Sequence, residues 1–264
     1  MRTLRRLIRL PLLAVYVVYG AILTLLLAWH RRDAPPSARF TAIERRWFRG
    51  LLKILGVRLH VTGEPARGGV LYVANHISWL DIPVIGAVLE TAFLSKQEVR
   101  RWPVVGWLAA RAGTLFIQRG GSNAANAATE AMTWRLAGNR PVLIFPEGTT
   151  STGETVLRFH PRLFGAATLA ERPVQPVALR YPHVERIHPT APFVGDTHLM
   201  RHVWDMLGEP EIEAELDFLP PIPAAGMERK ALAEQAREAV KAVVEGRPEQ
   251  DKEQSQVAGR KSPV

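Results

Sequence analysis

The chain of 264 residues is long enough for one substantial core with appendages but too short for two full domains. With 47% apolar and 22% charged residues it is expected to fold as a globular protein, and because it has no cysteine, disulfides, cysteine-ligated metals and thiol nucleophiles are excluded. Residues 1–60 hold 12 Lys and Arg against 2 Asp and Glu, while residues 61–264 hold 22 against 23. The net charge of +9 therefore comes from the first 60 residues, which argues against a nucleic-acid-binding face on the folded domain.

The N-terminus is predicted to be a membrane anchor. Residues 10–29 run for twenty positions without a charge, and a helix of that length reaches about 30 Å, the thickness of a bilayer core. Arg2, Arg5, Arg6 and Arg9 precede it, and a basic flank of this kind favours anionic lipid headgroups. A cleavable signal peptide is disfavoured because the apolar run is longer than the usual one of roughly 7–15 residues and no small-x-small cleavage site follows it.

Residues 40–57 are predicted to form a second, amphipathic helix at the membrane interface, because Arg45, Arg46 and Arg49 alternate with aromatic and aliphatic residues. Ordinary packing into the core is the alternative for this helix. We expect residues 1–56 to anchor the chain as a two-helix hairpin that turns near Pro35 and Pro36. Both flanks of the first helix are basic, so whether it spans the bilayer or dips into one leaflet stays open.

Beyond residue 56, short β-rich runs alternate with helical stretches, which predicts an α/β fold with a mixed, mostly parallel sheet flanked by helices. We assign residues 57–222 to one catalytic domain, residues 223–246 to a C-terminal helix after a proline-rich stretch, and residues 247–264 to a disordered polar tail. The predicted strands are 57–62, 70–74, 92–95, 114–118, 141–145, 174–180 and 212–218. The predicted helices of this part are 79–89, 99–112, 123–137, 161–170, 199–207 and 227–244.

His76 and Asp81 are the first candidates for catalysis. The predicted strand 70–74 is followed by Asn75 and His76, and Asp81 comes about one turn into the next helix. On one continuous helix, at about 100° per residue, the two side chains would be some 140° apart, so they meet only if His76 lies on the turn before the helix. Asp81 would then fix the tautomer of His76, whose second nitrogen could take a proton from an alcohol. A histidine with a structural role at the junction is the alternative.

A second candidate loop covers residues 145–153 and again follows an apolar strand. Its glycines and hydroxylated residues suit a loop that presents backbone N–H groups and hydroxyls to an anion. Glu147 is unusual at the end of an apolar strand, and we predict that it binds a substrate hydroxyl or braces the loop. A plain turn with an exposed Glu147 is the alternative.

Together, these segments resemble the glycerophospholipid acyltransferases of the 1-acylglycerol-3-phosphate acyltransferase type. Residues 75–81, with the sequence NHISWLD, resemble the NHxxxxD signature of that family. Residues 113–119, 145–151 and 174–179 resemble its second, third and fourth motifs, in the family's order. The similarity covers about residues 57–220, and four ordered motifs are a specific signal.

The resemblance implies an O-acyltransferase of phospholipid biosynthesis. A fatty acyl thioester, carried by coenzyme A or acyl carrier protein, would react with a lysolipid hydroxyl that His76 deprotonates, with no acyl-enzyme, no metal and no other cofactor. Backbone N–H groups near the two loops would stabilise the oxyanion. The resemblance also implies that residues 99–112 line the acyl-chain groove and that the catalytic domain faces the cytoplasm at the inner membrane, in contact with membrane lipids. The implied substrate-binding residues are Asn75, Lys96, Arg119, Glu147, Gly148, Thr149 and Thr150.

One position departs from the family. The third motif usually reads EGTRS, with an arginine credited with binding phosphate, and here that position is Thr150. Losing a bidentate guanidinium is expected to weaken a phosphate site. Our first hypothesis is acylation of the sn-2 hydroxyl of 1-acyl-glycerol-3-phosphate to phosphatidic acid, and the alternative acceptor is a lyso-ornithine lipid or another lysophospholipid. A membrane-tethered lipid-binding protein without turnover is a hypothesis of another class, which the presence of both His76 and Asp81 disfavours.

Overall fold

The computed structural model describes residues 1–28, 38–117, 122–184 and 187–246. Its α-helices are α1 (Arg2–Ala28), α2 (Ala38–Leu55), α3 (Asp81–Gly86), α4 (Gln97–Arg100), α5 (Val105–Arg111), α6 (Ser122–Ala137), α7 (Gly165–Leu169), α8 (Leu199–Gly208) and α9 (Arg229–Glu245). Its strands are β1 (Val57–Thr62), β2 (Leu71–Ala74), β3 (Ala92–Lys96), β4 (Leu115–Ile117), β5 (Val142–Ile144), β6 (Val174–Arg180) and β7 (Ile212–Phe218). A 3₁₀ turn, Pro161–Phe164, leads into α7.

The strands form one sheet in the order β1-β7-β6-β2-β5-β3-β4. The strands β6, β2, β5, β3 and β4 run parallel to one another, β7 is antiparallel to β6, and β1 is parallel to β7. The mixed, mostly parallel sheet predicted from the sequence is therefore confirmed. Strands that share a direction end at the same edge of a sheet, and α/β proteins bind ligands at the carboxyl ends of such strands. We call this edge the carboxyl edge.

The central strands are buried on both faces, as expected for parallel strands covered by helices. One core lies between the sheet and the helices α2, α3 and α8, and the other lies between the opposite face and α6, α7 and α9. β7 instead alternates between buried and partly buried residues along its length. This packing holds the ends of β2, β5 and β6 side by side at the carboxyl edge.

Three predicted helices differ from those observed, and one of them, 161–170, begins as the 3₁₀ turn that precedes α7. The predicted helix 99–112 is divided into α4 and α5 around Pro103, which lacks an N–H group and disfavours helical backbone at the residue before it. The next residue, Val104, has a φ of 61°, which no continuous α-helix would accommodate. The predicted helix 79–89 begins only at Asp81, because the backbone N–H groups of Ile77 and Ser78 turn back to its side chain.

The N-terminal helices pack against each other and run in opposite directions. The rings of Tyr16 and Trp47 stack with centroids 5.8 Å apart and planes 7° from parallel. The indole Nε1 of Trp47 donates to the backbone oxygen of Tyr16 at 3.2 Å, and the hydroxyl of Tyr16 donates to the backbone oxygen of Trp47 at 3.2 Å. A Cβ at Gly20 would collide with the indole, so glycine permits this close approach. The predicted turn at Pro35 and Pro36 lies outside the described residues.

Only α1 has the features of a membrane span among the described helices. Within its segment Arg2–Leu27, an 18-residue window has a mean hydropathy of 2.3, and 6% of the residues in that window are buried. The inner face of α2 instead packs Leu51, Leu52 and Leu55 into the core. Core packing, the alternative considered for the second helix, therefore describes that face, and the two-helix anchor is supported only in part.

The basic residues at the start of α1 bind the catalytic domain. The Nε atoms of Arg5 and Arg6 donate to the backbone oxygens of Gly208 and Trp204, each at 2.9 Å, and Nη1 of Arg9 donates to the backbone oxygen of Glu209 at 2.6 Å. Arg2 forms an ion pair with the carboxylate of Glu209. The last carbonyls of a helix lack partners within the helix, and cations near them are stabilising. These four side chains therefore fix α1 to the end of α8, and the attraction of this flank to lipid headgroups stays a prediction.

Candidate active site

His76 and Asp81 meet at the carboxyl edge, between β2 and α3. His76 lies on the turn before the helix, and its Nδ1 is 2.6 Å from Oδ2 of Asp81. The same oxygen accepts hydrogen bonds from the backbone N–H groups of Ile77 at 2.7 Å and Ser78 at 3.0 Å. A carboxylate that accepts from Nδ1–H leaves Nε2 as the unprotonated nitrogen of a neutral imidazole. The side chain of His76 is 20% exposed and that of Asp81 is fully buried, so the ring can reach a substrate and its partner cannot.

Tyr181 holds the other oxygen of Asp81. Its hydroxyl donates to Oδ1 of Asp81 at 2.8 Å. Burial, and after it the charge of Asp81, raises the pKa of Tyr181 well above its ordinary value, so the phenol keeps its proton and remains a donor. Tyr181 follows the last residue of β6, the strand next to β2, and the sheet order therefore brings it to the site.

The imidazole is also held from the side by an aromatic ring. Phe145, the residue after β5, stacks on His76 with ring centroids 4.0 Å apart and planes 14° from parallel. The backbone of His76 is fixed as well, because its carbonyl oxygen accepts a hydrogen bond from the N–H group of Ser151 at 2.8 Å. The ring therefore has little freedom to leave the plane in which Asp81 orients it.

The side chain of Asn75 joins β2 to β6. Its Nδ2 donates to the backbone oxygen of Leu179 at 2.9 Å, and its Oδ1 accepts from the backbone N–H of Leu179 at 2.8 Å. The residue is 1% exposed. The structure thus turns Asn75 towards the neighbouring strand, where it continues the sheet pairing by one residue, and not towards the opening where its predicted substrate contact would be.

The loop of residues 145–153 stands beside the histidine turn, because β5 neighbours β2. Gly148 and Gly153 take φ values of 70° and 84°, a backbone region that disfavours other residues. Gly148 and Thr149 are exposed, whereas Thr150 is partly buried and its hydroxyl donates to the backbone oxygen of Phe193. The loop is therefore tied to residues 187–194 through the hydroxyl of Thr150.

Glu147 is buried inside this loop, with an exposed fraction of 4%. Neither carboxylate oxygen has a hydrogen-bond partner of ordinary geometry in the described part of the chain. Burial raises the pKa of Glu147 to about 8, the charge of Asp81 adds to the rise, and the nearby backbone N–H groups of His76 and Leu157 oppose it. The alternative of an exposed Glu147 is thereby excluded. Its position against the backbone of His76 favours the bracing role over a substrate contact.

The structure gives less information about Lys96 and Arg119, which were predicted to bind the substrate. Lys96 is the exposed last residue of β3 and lies at the carboxyl edge, two strands away from β2. Arg119 lies outside the described residues. The substrate contacts of both residues stay predictions.

The charge of Arg180, the last residue of β6, is compensated within the sheet. Its guanidinium binds Glu215 at 2.7 Å and Asp217 at 2.8 Å on β7. Tyr181, Phe145 and Phe193 were missed as members of the site. Tyr181 and Phe145 are the first residues beyond two strands that flank β2, and that position is the signal that would have found them.

Comparison with known proteins finds similarity to acyltransferases. The model of the acyltransferase family matches residues 58–180. The lyso-ornithine lipid O-acyltransferase of Pseudomonas aeruginosa is 41% identical over 251 residues, which cover 93% of this chain and 96% of that protein. The 1-acyl-sn-glycerol-3-phosphate acyltransferase of Neisseria meningitidis is 36% identical over 200 residues, which cover 74% of this chain and 78% of that protein.

A solved structure shares the fold. The crystal structure of the 1-acyl-sn-glycerophosphate acyltransferase PlsC from Thermotoga maritima matches with a TM-score of 0.65 and covers 100% of both chains. The two sequences are 22% identical, so this likeness concerns the fold alone. It includes the sheet and the helices that place residues at the carboxyl edge.

Proposed function

Since this chain belongs to the acyltransferase family and is an acyltransferase for lysolipid-type acceptors, we propose that it transfers a fatty acyl chain from a thioester to the hydroxyl of a lyso-ornithine lipid. The observation that carries the catalytic part is the pair formed by His76 and Asp81. The observation that carries the choice of acceptor is Thr150, in the position where the family usually has an arginine.

His76 acts as the general base of the proposed reaction. Its Nε2 takes the proton from the lysolipid hydroxyl as the oxygen attacks the thioester carbonyl. The new C–O bond forms, the C–S bond breaks, and the proton passes from His76 to the departing thiolate. Asp81 stabilises the imidazolium that exists between these two proton transfers, and Tyr181 and the backbone N–H groups of Ile77 and Ser78 keep Asp81 in place.

The oxyanion of the tetrahedral intermediate needs hydrogen-bond donors. We assign this role to the backbone N–H of Thr149, in the exposed turn beside the histidine turn, because the N–H of Gly148 already donates to the backbone oxygen of Phe145 at 3.2 Å. The left-handed conformation of Gly148, with a φ of 70°, redirects the chain at this point. Ser151, whose N–H donates to the backbone oxygen of His76, holds one side of the turn against the histidine turn, and Glu147 is buried on its other side.

The acceptor is chosen by charge. Phosphate binds best to a bidentate guanidinium, and the hydroxyl of Thr150 is neutral and already donates to Phe193. An ornithine head group carries a carboxylate and an ammonium, so it places less negative charge in the site than a phosphate monoester. The similarity of nearly the whole chain to a lyso-ornithine lipid O-acyltransferase supports the same choice.

Lysophosphatidate is the second candidate, and it was the first hypothesis from the sequence. The exposed Lys96 at the carboxyl edge and the similarity to the Neisseria protein support it. The acyl donor in either case is a thioester of coenzyme A or acyl carrier protein. We further propose that α1 holds the protein at the inner membrane with the site on the cytoplasmic side.

A competition assay tests the proposal. The detergent-purified chain is given acyl thioesters on coenzyme A or on acyl carrier protein, together with equal amounts of lyso-ornithine lipid, lysophosphatidate and lysophosphatidylcholine, and mass spectrometry identifies the products. We expect the ornithine product to dominate. Dominance of phosphatidate would reject the proposed acceptor and leave the acyltransferase assignment intact.

The same assay tests the role of His76. We expect His76→Ala to be silent with every acceptor, and His198→Ala to match the wild type because His198 is exposed and makes no side-chain cap at the start of α8. Undiminished turnover by His76→Ala would reject the mechanism and reopen the hypothesis of a lipid-binding protein.

A further inference from the structure

The turn between α4 and α5, inside the segment 99–112 that the resemblance assigns to the acyl-chain groove, exposes apolar side chains to solvent. Trp102 is 41% exposed, and Val104 and Val105 are each 47% exposed. We call these three residues the 102–105 patch. Large apolar side chains that share one exposed turn mark an interaction site more often than scattered ones do.

The backbone at this turn is strained, which suggests that the exposure is functional. Val104 has a φ of 61° and a ψ of −58°, an unusual conformation for a β-branched residue. Strain of this kind persists at binding and active sites, where the surrounding structure maintains it. It projects Val104 and Val105 outward, although both would be more stable if they were packed into the core.

The patch belongs to a segment that packs against α1. Helix α5 contacts α1, and the outer face of α1 exposes Val15 at 70% and Leu26 at 71%, among other aliphatic residues. A tryptophan with aliphatic neighbours is typical of segments that enter the interface of a bilayer. An acidic soluble protein would require basic residues at the centre of its docking surface, whereas the centre of this patch is apolar.

Basic residues flank the patch. Arg100 and Arg101 precede it and are both exposed, and the guanidinium of Arg100 lies 5.5 Å from the ring centre of Phe116. Cations beside an apolar centre complement a bilayer that contains anionic lipids.

We propose that the 102–105 patch inserts into the surface of an anionic bilayer as a second membrane contact beside α1. The patch follows β3, so it lies at the carboxyl edge with His76. Two contacts fix the rotation of the domain about α1, which a single helix leaves free. The site then faces the lipid surface from which a lysolipid must enter.

The test uses single cysteines in the full chain, which has none of its own. Val104→Cys and Val105→Cys are labelled with the environment-sensitive dye NBD, and the protein is reconstituted in vesicles of phosphatidylcholine and phosphatidylglycerol that contain nitroxide-labelled lipid. Val15→Cys on α1 reports whether the anchor has inserted. Leu169→Cys is the matched control, because Leu169 is 70% exposed and precedes the amino end of β6, at the opposite edge of the sheet.

We expect quenching by the nitroxide at residues 104 and 105 to exceed that at residue 169 by about twofold or more, as for side chains buried roughly 5–10 Å below the headgroups. Equal quenching at residues 104 and 169, with residue 15 inserted, would overturn the proposal. A second result would also overturn it. If aqueous iodide quenches the probe at residue 104 freely in the presence of vesicles, and acyl carrier protein then protects the probe, the patch binds that protein and not the bilayer. These readouts do not depend on acyl transfer, so the proposal can fail while the proposed function stands.

Discussion

The hydroxyl of Tyr181 donates a hydrogen bond of 2.8 Å to Oδ1 of Asp81, the oxygen that His76 does not use. One fully buried carboxylate thus accepts hydrogen bonds from two side chains and two backbone groups. Its charge is shared between the imidazole and a phenol, and the strength of either contact depends on the other.

Tyr181→Phe is expected to lower kcat/KM several-fold and to move the acid limb of its pH profile to higher pH. Without the phenol, more of the negative charge of Asp81 acts on His76, and the pair accepts a proton more readily. Steady-state kinetics between pH 5 and pH 9, roughly the range in which histidine catalysis titrates, measure both effects. Tyr72→Phe is the control, since the hydroxyl of buried Tyr72 donates to the backbone oxygen of Ala66, away from the site. A purely structural role for Tyr181 would lower the rate and leave the acid limb in place.

Asp81→Asn is expected to lower kcat by about 10²–10⁴-fold, the usual contribution of a general base, because His76 then loses the carboxylate that orients it for that role. The amide oxygen can still accept the N–H groups of Ile77 and Ser78, so the turn keeps its shape, but the imidazolium loses its compensating charge. The acid limb is expected to move to lower pH, opposite to the effect of Tyr181→Phe. Asp196→Asn, at an exposed position, is the control. If both site variants shifted the limb in the same direction, the shared-charge account of Asp81 would be wrong.

Glu147→Gln is expected to make the stability of the protein less dependent on pH. Burial raises the pKa of Glu147 from 4.5 to about 8. Between these values the folded chain holds a proton that the unfolded chain has released, so the free energy of unfolding falls as the pH rises, by at most about 1.4 kcal/mol per pH unit. Denaturant unfolding in detergent across this pH window measures the fall. The glutamine variant should lose less stability than the wild type, and Glu154→Gln, at an exposed position of the same loop, should behave like the wild type.

Thr150→Arg is expected to shift acceptor choice towards lysophosphatidate by about tenfold, the effect of roughly 1.4 kcal/mol from one charge-assisted contact. The competition assay gives the ratio of phosphatidate to ornithine product. Thr150→Val is the matched control, because it removes the hydrogen bond to Phe193 without adding charge. A shift of equal size in both variants would show that the loop contact, and not the cation, governs the acceptor.

The strands could be predicted from the sequence because the apolar runs of central parallel strands are buried on both faces. The seven predicted strands match β1–β7 within two residues at each end. Helix boundaries were less predictable where a side chain captures backbone N–H groups, as Asp81 does, or where proline divides a helix, as Pro103 does.

The site could be predicted only where its members are close in sequence. His76 and Asp81 are 5 positions apart and belong to one motif, whereas Tyr181 and Asp81 are 100 positions apart. Only the sheet order, with β6 beside β2, brings Tyr181 to Asp81, and alternation of strands and helices does not determine that order. The contact of Arg9 with Glu209, 200 positions away, escaped prediction for the same reason.

The hydrogen bonds from α1 to the end of α8 make the anchor and the catalytic domain one rigid body. With α1 inserted as proposed, a thicker or thinner bilayer changes the tilt of this helix at a modest cost. A domain joined to α1 by a flexible linker would keep its orientation when the helix tilts, but here the sheet tilts together with the helix. The height of His76 above the lipid surface then depends on bilayer thickness. The rate of acyl transfer would therefore depend on the thickness of the membrane to which the enzyme's own lipid products belong.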